Sequence, residues 1–569
     1  MQLSTIAKRG SLLLFFAVIA FYFYGLGHLP LLGPDEPRYA QIAREMFWNR
    51  DLITPTLGGR PWFEKPPLLY WMMIASYKLF GLSEWSARFP AAVSGLLTVG
   101  AVFCIGRSVE RSAATKVESP HGGAPLVQLG TGRNACPTGL GFWSALIAAT
   151  TLGIVVFARA ASFDIIVTMT MTWALAFFII SELEEIARSR WRYLAGFYIF
   201  VGLSLLAKGL IGIVIPLGVA SVYYVLRRKL PERNAALSLS WGLPLALAVA
   251  ALWYAPVIWR HGWPFIDQFF MQHQFARYVS NKYGHPAPVY FYLLILIPFS
   301  LPWTAFFIEG IGKATRWRWR AKNQRGSNLD RIMVLAFAWF LVPLVFFSFS
   351  TSKLPGYIIP VLPAMALIAG ERVTRFSTNA EEGKWAIRIT ASLSLLLALA
   401  VPLYAWRSGS PSFECALIIA LLLGVAGSFG LLSLRHRVAS VLLIAAATLG
   451  VLLVALHCWA PEPVERETAK HLLQLADARG YSQAVIYGLQ RDDRTPEFYA
   501  AGRVAYAPDG EPILYEGPSA VISESRKRKE ALLVFVQLKE IGQLTGLESA
   551  HTEVIGNNGR IAMVAVRAK

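Results

Sequence analysis

Long apolar runs recur along most of this chain, and they limit its possible folds more than any other feature. About thirteen candidate spans approach the roughly 17 to 25 residues that a helix needs to cross a bilayer. They centre near residues 11–31, 88–107, 141–158, 163–181, 193–207, 210–226, 241–258, 289–308, 332–349, 355–370, 386–404, 413–432 and 437–458. Charged residues make up only 16% of the chain, whereas soluble domains carry about 25%. We predict a mainly α, polytopic membrane protein.

The net charge of +19 is typical of nucleic-acid-binding proteins, but its distribution indicates membrane topology instead. If the N-terminus is cytoplasmic, every inside loop is basic, as the positive-inside rule requires. These loops contain Arg107–Arg133, Arg188–Arg192, Arg227–Arg233, Lys313–Arg331, Arg372–Arg388 and Arg435–Arg437. Two long loops, 33–87 and 259–288, and the segment after the last span then lie outside the cytoplasm.

Two further features refine this topology. Lys8 and Arg9 precede the first run, which has no small-residue cleavage site, so we predict an uncleaved first transmembrane helix. The four cysteines form no spacing pattern; three lie in or beside apolar runs and one in a basic loop (Cys104, Cys415, Cys458 and Cys136). We expect neither a structural disulfide nor a cysteine-based metal site.

The outside segments are predicted to fold in two places. In the first loop, Pro37–Trp48 has an apolar stripe at helical spacing, which is typical of a helix lying in the interface plane. Composition then separates a transmembrane domain, residues 1–458, from a small α/β domain, residues 459–569. This domain is predicted to contain a charged helix, Val464–Arg479, and β-type runs at Ala484–Tyr487, Leu532–Val536 and Ile561–Val566.

Unusual polar residues gather on the predicted outer side. They are Asp35, Glu36, Arg38, Glu64, Lys65, Arg159, Asp164, Lys208, His273, Arg277, His285, Lys353 and Tyr357. Charges at bilayer ends cost free energy unless they are paired or solvated, so their convergence predicts a polar cavity. Each also has a structural interpretation. Asp35 or Glu36 could cap the loop helix, Lys65 could anchor in headgroups, and Asp164 could pair with Arg159.

The remaining residues have similar alternatives: Lys208 could only break a helical hairpin, and His273 could be an interface residue. Taken together, cations near a membrane surface suit a phosphate, since arginine offers a fork and lysine a point charge. The sequence has no Walker loop and no dinucleotide fingerprint, so no nucleotide is expected. An enzyme outside the cytoplasm needs a donor that has already crossed the membrane, and a sugar on a polyprenyl phosphate meets that need.

Several motifs resemble a known family. Gly33-Pro34-Asp35-Glu36-Pro37-Arg38-Tyr39-Ala40 and Phe63-Glu64-Lys65-Pro66-Pro67 resemble the first periplasmic loop of bacterial lipid A 4-amino-4-deoxy-L-arabinose transferases, C-type glycosyltransferases related to protein O-mannosyltransferases. Leu206-Ala207-Lys208-Gly209, Lys353-Leu354-Pro355-Gly356-Tyr357 and the segment from His273 to Arg277 fit the same family. The resemblance covers the membrane region and implies a C-type glycosyltransferase fold in the bacterial inner membrane, with the active site and C-terminal domain periplasmic.

The resemblance also implies an activity and site residues. Members move 4-amino-4-deoxy-L-arabinose from undecaprenyl phosphate to lipid A phosphates, which lowers the negative charge that polymyxin exploits. Asp35 is implied as catalytic, and we add Asp164 and Glu36 as candidates. The expected phosphate and donor ligands are Lys65, Arg38, Arg277, Lys208, Lys353 and Tyr357. Glu64 and His273 are implied as ligands of a divalent metal, zinc or magnesium, although two ligands alone do not define a site.

Other functions remain open on the sequence alone. A related transferase could use another sugar or a protein hydroxyl acceptor. A flippase for lipid-linked sugars would need charges near the bilayer midplane on broken, repeated helices, and the sequence shows no such duplication. A membrane receptor would give no reason for so many acids and bases between the helices.

Overall fold

The computed structural model describes residues 15–115, 139–184, 186–276, 286–314, 327–379, 381–432, 434–490, 493–508 and 510–569. Every structural statement below concerns these residues. Arg277 and His285, two of the polar residues singled out in the second long loop, lie outside them.

Helices dominate the first 460 residues, and each predicted span coincides with one or two of them. The first occupies residues 15–23. The others in the membrane region are Asp35–Asn49, Leu68–Phe80, Glu84–Thr115, Leu140–Thr150, Leu152–Ala158, Phe163–Leu183, Ala187–Lys208, Ile211–Arg227, Arg233–His261, Trp263–Ile266, Asp267–Ala276, Phe291–Phe299, Thr304–Gly312, Asn328–Ser348, Pro355–Val361, Leu362–Thr378, Lys384–Ser408, Phe413–Leu432, Leu434–His436, Arg437–Val454 and Ala455–Trp459.

Eight of the described helices are long and apolar enough to cross a membrane, and a ninth span results if one bent pair is counted. In that pair, Leu140–Thr150 and Leu152–Ala158 meet at 61°. Among the other predicted spans, 193–207 lies in the 22-residue helix Ala187–Lys208, and Ile211–Arg227 has 17 residues. The run at 289–308 divides into Phe291–Phe299 and Thr304–Gly312. The protein is therefore a multi-pass membrane protein.

A disulfide joins Cys415 to Cys458, with their Cα atoms 6.2 Å apart. The prediction that the chain has no structural disulfide is therefore wrong. Cys415 lies in the first turn of Phe413–Leu432, and Cys458 lies in the last turn before the C-terminal domain. Because the two final membrane helices form an antiparallel hairpin, the start of one and the end of the other meet at the same membrane face. Because Cys415 and Cys458 both lie in or beside apolar runs, the sequence alone did not indicate that they pair.

The last hundred residues form a small domain around one five-stranded sheet. Its strand order is Leu514–Tyr515, Ile486–Leu489, Leu532–Gln537, Ile561–Ala568 and Ala550–Asn557. The first three strands are parallel, and the last two are antiparallel to their neighbours. Its helices are Pro461–Arg466, Lys470–Ala478, Pro496–Tyr499, Pro518–Arg528 and Leu538–Gln543. The predicted charged helix is thus two shorter helices.

Both faces of this sheet are covered. Leu533 and Phe535 of the central strand pack with helix Lys470–Ala478, whereas Leu532 and Val534 on the opposite face pack with helix Pro518–Arg528. This division follows from the two-residue period of a strand, which sends alternate side chains to opposite faces. It explains why the strand is apolar without interruption, as buried strands are.

The first-loop helix, Asp35–Asn49, lies between the membrane helices and the C-terminal domain. Its residues from Tyr39 to Met46 are all buried. Arg44 donates a hydrogen bond of 2.7 Å to the carbonyl of Phe498 in the C-terminal domain. The apolar stripe predicts burial on one face only, whereas the C-terminal domain also covers the other.

Candidate active site

Asp35 is the first residue of the loop helix, and its side chain is the exposed carboxylate of this region, 54% accessible. The helix cap is Pro34, which offers no side-chain acceptor, so Asp35 does not serve as the capping residue. Arg38, one turn later, donates to Asp35 Oδ1 at 2.5 Å. The carboxylate is therefore open to an incoming group on one side and oriented by a guanidinium on the other.

Arg38 connects Asp35 to the end of the first loop. Its guanidinium lies 3.4 Å from Glu64 Oε2, and the Lys65 ammonium lies 2.9 Å from Glu64 Oε1. Asp35, Arg38, Glu64 and Lys65 thus form a continuous row of alternating charges. Two of the predicted phosphate ligands, Arg38 and Lys65, lie within this row beside the predicted catalytic acid, Asp35. Another predicted ligand, Arg277, is outside the described residues.

The Arg38 side chain is only 12% exposed. Burial opposes its charge, but the carboxylates around it, Glu64 and Asp35 among them, raise its pKa well above the usual arginine value. Burial likewise raises the pKa of Tyr39, and the same two carboxylates add to the effect. Arg38 therefore remains a cation and Tyr39 a neutral phenol, able to donate or accept a hydrogen bond.

Glu36, predicted as a catalytic candidate, has a different position. It is 6% exposed and accepts hydrogen bonds from Arg88 Nε and Nη2, at 3.0 and 2.6 Å. The backbone amides of Ala161 and Leu32 donate to the same carboxylate. Four donors occupy its two oxygens, so the geometry assigns Glu36 to anchoring the loop. A catalytic role for Glu36 stays a prediction.

Asp164 pairs with Lys208 and not with Arg159. Lys208 Nζ donates directly to Asp164 Oδ1 and lies 4.5 Å from the centre of the Tyr357 ring. Arg159 instead donates to the carbonyls of Phe21 and Tyr24. The alternative of an Asp164–Arg159 ion pair is therefore wrong.

Close packing explains the glycine of the Lys353-Leu354-Pro355-Gly356-Tyr357 motif. A Cβ built on Gly356 would lie 2.2 Å from Asp164 Oδ2, so a side chain there would displace the carboxylate. Lys353 is 7% exposed and donates to the carbonyls of Ala287 and Ser350. Its ammonium fixes the turn between two membrane helices, and we expect it to act on the site through Tyr357.

Aromatic contacts bring the row of alternating charges and the group of Asp164, Lys208 and Tyr357 to the same end of the helix bundle. The ring of Phe163, next to Asp164, lies 4.9 Å from the ring of Tyr39 and 5.2 Å from that of Tyr70. Tyr39 directly follows Arg38 in the loop helix. The Glu36–Ala161 hydrogen bond ties the same two segments together. The structure thus unites Asp35, Arg38, Glu64 and Lys65 with Asp164, Lys208 and Tyr357.

The implied metal ligands do not form a metal site among the described residues. Glu64 lies between two cations, Arg38 and Lys65, which oppose the approach of a dication. His273 lies in the helix Asp267–Ala276 of the second loop. No group of three histidine, cysteine, aspartate or glutamate side chains in the described part of the chain is placed to hold a metal ion. Metal binding at Glu64 and His273 stays a prediction.

Three residues escaped the sequence analysis. Arg88 holds Glu36, and it also donates to the carbonyls of Leu26, Leu29 and Pro30. Its position in the first turns of an apolar run was the available signal, since a buried charge there needs partners. Trp62 and Arg494 contact the site from the first loop and from the C-terminal domain. No single-sequence pattern connects residues so far apart.

Known proteins resemble this chain in sequence. A model of the dolichyl-phosphate-mannose-protein mannosyltransferase family matches residues 64–117. An undecaprenyl phosphate-alpha-4-amino-4-deoxy-L-arabinose arabinosyl transferase from Edwardsiella ictaluri is 28% identical over 93% of this chain and 94% of its own length. A protein of the same description from Pseudomonas aeruginosa is 28% identical over 85% of this chain and 84% of its own.

Solved structures agree with these relatives. ArnT from Cupriavidus metallidurans bound to undecaprenyl phosphate superposes with a TM-score of 0.76 at 24% identity, covering 97% of both chains. The apo state of the same protein gives 0.74 at 23% identity over 98% of both chains. This chain has the ArnT fold, and its resemblance to the bacterial aminoarabinose transferases is confirmed over nearly its whole length.

Proposed function

We propose that this protein is an inverting glycosyltransferase that moves 4-amino-4-deoxy-L-arabinose from undecaprenyl phosphate to a lipid A phosphate on the periplasmic face of the inner membrane. The observation that carries the proposal is Asp35: an exposed carboxylate, held by Arg38, in a chain similar over 93% of its length to an arabinosyl transferase with this donor. The fold of a protein solved with undecaprenyl phosphate supports the same donor.

The leaving group of this reaction is a polyprenyl phosphate, whose negative charge grows as the bond to the sugar breaks. Lys65 is the cation at the end of the charge row, where its ammonium lies 2.9 Å from Glu64 Oε1. Lys208 and Tyr357 provide an ammonium and a phenol on the neighbouring segment. Cations placed where charge develops lower the barrier, so we assign these three residues, with Arg277, to the donor phosphate.

Asp35 acts on the acceptor side. A lipid A phosphate oxygen attacks C1 of the sugar from the face opposite the departing phosphate, so the C1–O bond to the acceptor forms as the C1–O bond to the polyprenyl phosphate breaks. A dianionic acceptor needs no base; a monoanion passes its proton to Asp35. In both cases Arg38 fixes the Asp35 carboxylate beside C1. The negative charge of that carboxylate also stabilises the oxocarbenium-like sugar.

Two observations support the periplasmic orientation. The first is the alternation of basic inside loops along the sequence. The second is the Cys415–Cys458 disulfide at the membrane end from which the C-terminal domain emerges. Disulfides persist in oxidising compartments such as the periplasm and are rare in the cytoplasm. Both favour a position of the charge row and the C-terminal domain outside the cytoplasm.

The test is transfer by the purified protein in lipid vesicles, with the undecaprenyl-phosphate-linked aminosugar as donor and lipid A as acceptor, followed by mass spectrometry of lipid A. Asp35→Asn should abolish transfer while leaving expression and melting temperature unchanged. Asp51→Asn is the matched control, because Asp51 is a partly exposed carboxylate of the same loop that pairs with Arg260. It should keep more than half of the activity.

Other products in this assay would indicate a different function. The match to a protein mannosyltransferase family model favours a hydroxyl acceptor as the second candidate, and glycosylated protein with unmodified lipid A would establish it. Movement of donor across vesicles without acceptor would indicate a flippase. Full transfer by Asp35→Asn would remove Asp35 from the mechanism.

A further inference from the structure

The indole of Trp62 lies between two arginines from different parts of the chain. The guanidinium carbon of Arg38 is 5.6 Å from the ring centre, and that of Arg494 is 5.7 Å. Arg38 belongs to the loop helix beside Asp35, whereas Arg494 belongs to the C-terminal domain. Trp62 is 8% exposed and Arg494 is equally buried, so both contacts are largely shielded from water and stronger than surface cation–π contacts.

Two guanidiniums near one ring repel each other unless carboxylates compensate them, and both are compensated. Arg38 pairs with Asp35 and Glu64. Arg494 lies 3.1 Å from Glu497 Oε1 and also pairs with Glu511. Glu497 is almost completely buried. Burial lowers the pKa of Arg38, and the charge of Glu497 adds to the larger effects of Glu64 and nearer groups that raise it.

The surrounding contacts make this a fixed junction. A Cβ built on Gly58 would lie 2.1 Å from the ring of Tyr506, so the turn of the first loop sits directly on the C-terminal domain. Gly58 has a φ of +61°, which favours glycine as well. Arg60 donates to the carbonyl of Ala507, and Glu45 accepts from the amide of Gly58 at 2.8 Å. Trp62 therefore has little freedom to move away from either arginine.

We propose that Arg494 is a positioning residue for the transfer reaction: it holds Trp62 against Arg38, and Arg38 in turn holds Asp35 beside the sugar. The C-terminal domain is thus part of the catalytic unit. The reaction is the one given under Proposed function, on which this inference rests. Arg494 itself touches no substrate, so its loss should slow the chemical step more than it weakens donor binding.

The experiment compares Arg494→Gln, Trp62→Leu and Trp62→Phe in the vesicle assay. Leucine removes the π face and phenylalanine keeps one. Arg494→Gln and Trp62→Leu should each lower kcat by about 5- to 30-fold, the factor that corresponds to about 1–2 kcal/mol of cation–π contact. Donor KM should change less than about twofold, and Trp62→Phe should restore most of kcat. Because the two residues act in series, the double variant should be no slower than the slower single variant.

The matched control is Arg479→Gln, which removes an exposed arginine–glutamate pair of the same domain, Arg479–Glu553. It should leave kcat unchanged. Arg494→Gln can misfold the domain because it removes the arginine that pairs with the buried Glu497. Trp62→Leu leaves both ion pairs of Arg494 in place, so it tests the proposal without that effect. Unchanged kcat in Trp62→Leu, or losses that multiply in the double variant, would overturn the proposal.

Hydrogen exchange separates this proposal from the assignment of substrates. Amides in residues 50–65 should exchange faster in Arg494→Gln and Trp62→Leu than in the wild type or in Arg479→Gln. This readout needs no sugar donor. If the wild type transfers nothing from the tested donor but the loop still loosens, the proposed function fails and the positioning role stands. Unchanged exchange in both variants overturns the positioning role whatever the substrate.

Discussion

Asp35 and Glu36 are neighbours in sequence, and the structure predicts opposite consequences for their amide substitutions. Glu36→Gln keeps the size of the side chain and removes its charge. In the protein, Glu36 accepts four hydrogen bonds, two from Arg88 and one each from the amides of Ala161 and Leu32. Asp35 instead has a largely exposed side chain with one strong contact, to Arg38.

The size of the stability loss in Glu36→Gln follows from the number of N–H groups that donate to the Glu36 carboxylate. The single carbonyl oxygen of glutamine can accept two of the four N–H groups, and its NH₂ group faces the other two. Arg88 is 4% exposed and loses the one carboxylate within hydrogen-bond reach in the described structure. Removing one partner of a buried ion pair costs about 3–5 kcal/mol. We expect a loss of that order for Glu36→Gln and less than about 1 kcal/mol for Asp35→Asn, as for exposed pairs.

The assay measures the melting temperature of the detergent-purified variants and the activity per folded molecule in vesicles. Glu36→Gln should melt several degrees lower and should remain active below its melting temperature. Asp35→Asn should melt like the wild type and be inactive. Glu462→Gln, which removes the exposed pair Glu462–Arg466, serves as the carboxylate-to-amide control and should change neither quantity. A Glu36→Gln protein with wild-type melting and no activity would refute this reasoning and favour a catalytic role for Glu36.

Two further predictions concern other pairs. Asp164→Asn and Lys208→Met should each destabilise the protein, because each removes one member of a largely buried ion pair and leaves the other charge buried. The double variant should recover the melting temperature but not the activity. Recovery of both would make Asp164–Lys208 a purely structural pair. Cys415→Ser should leave Cys458 reactive with a maleimide in the unreduced, unfolded protein, whereas both sites in the wild type should react only after reduction. It should also lower stability by about 3–4 kcal/mol, since the closed loop spans 43 residues. Labelling of Cys458 without reduction in the wild type would contradict the disulfide.

The sequence predicted the membrane architecture well because its signal is local. A helix in lipid needs a continuous apolar run, and each predicted run coincides with helix in the described residues. The helix Leu68–Phe80 was missed inside the first loop, although its run of apolar residues was visible, because 13 residues are too few for a span. In the C-terminal domain, the apolar β runs identified three of the five strands. The strand Leu514–Tyr515 has only two residues, and Ala550–Asn557 alternates with polar side chains.

The roles of neighbouring acids were less predictable. Successive residues of a helix are about 100° apart around its axis, so Asp35 can face solvent while Glu36 faces Arg88. Which of the two points inward depends on where the helix packs, and that depends on a partner 52 residues away. The resemblance implied Asp35 as the catalytic acid, with Glu36 as a further candidate, and the packing shows that the two carboxylates have different surroundings. The same reason applies to Asp164. Its partner is Lys208, 44 residues away, and not Arg159, which is closer in sequence.

The coupling of the C-terminal domain to the site has no local signal at all. Arg44–Phe498 and Arg60–Ala507 join residues 454 and 447 positions apart, and composition alone describes this domain only as soluble and external. Glu45 restrains the turn at Gly58 from the loop helix, and the C-terminal domain adds the contacts of Tyr506 and Ala507 from the other side. Without the domain we expect the loop to lose part of the orientation that Arg38 gives Asp35. A carboxylate must be held within a fraction of an ångström to act on C1. We therefore propose that the domain covering the loop gives an exposed acid at a membrane surface the fixed position that catalysis requires.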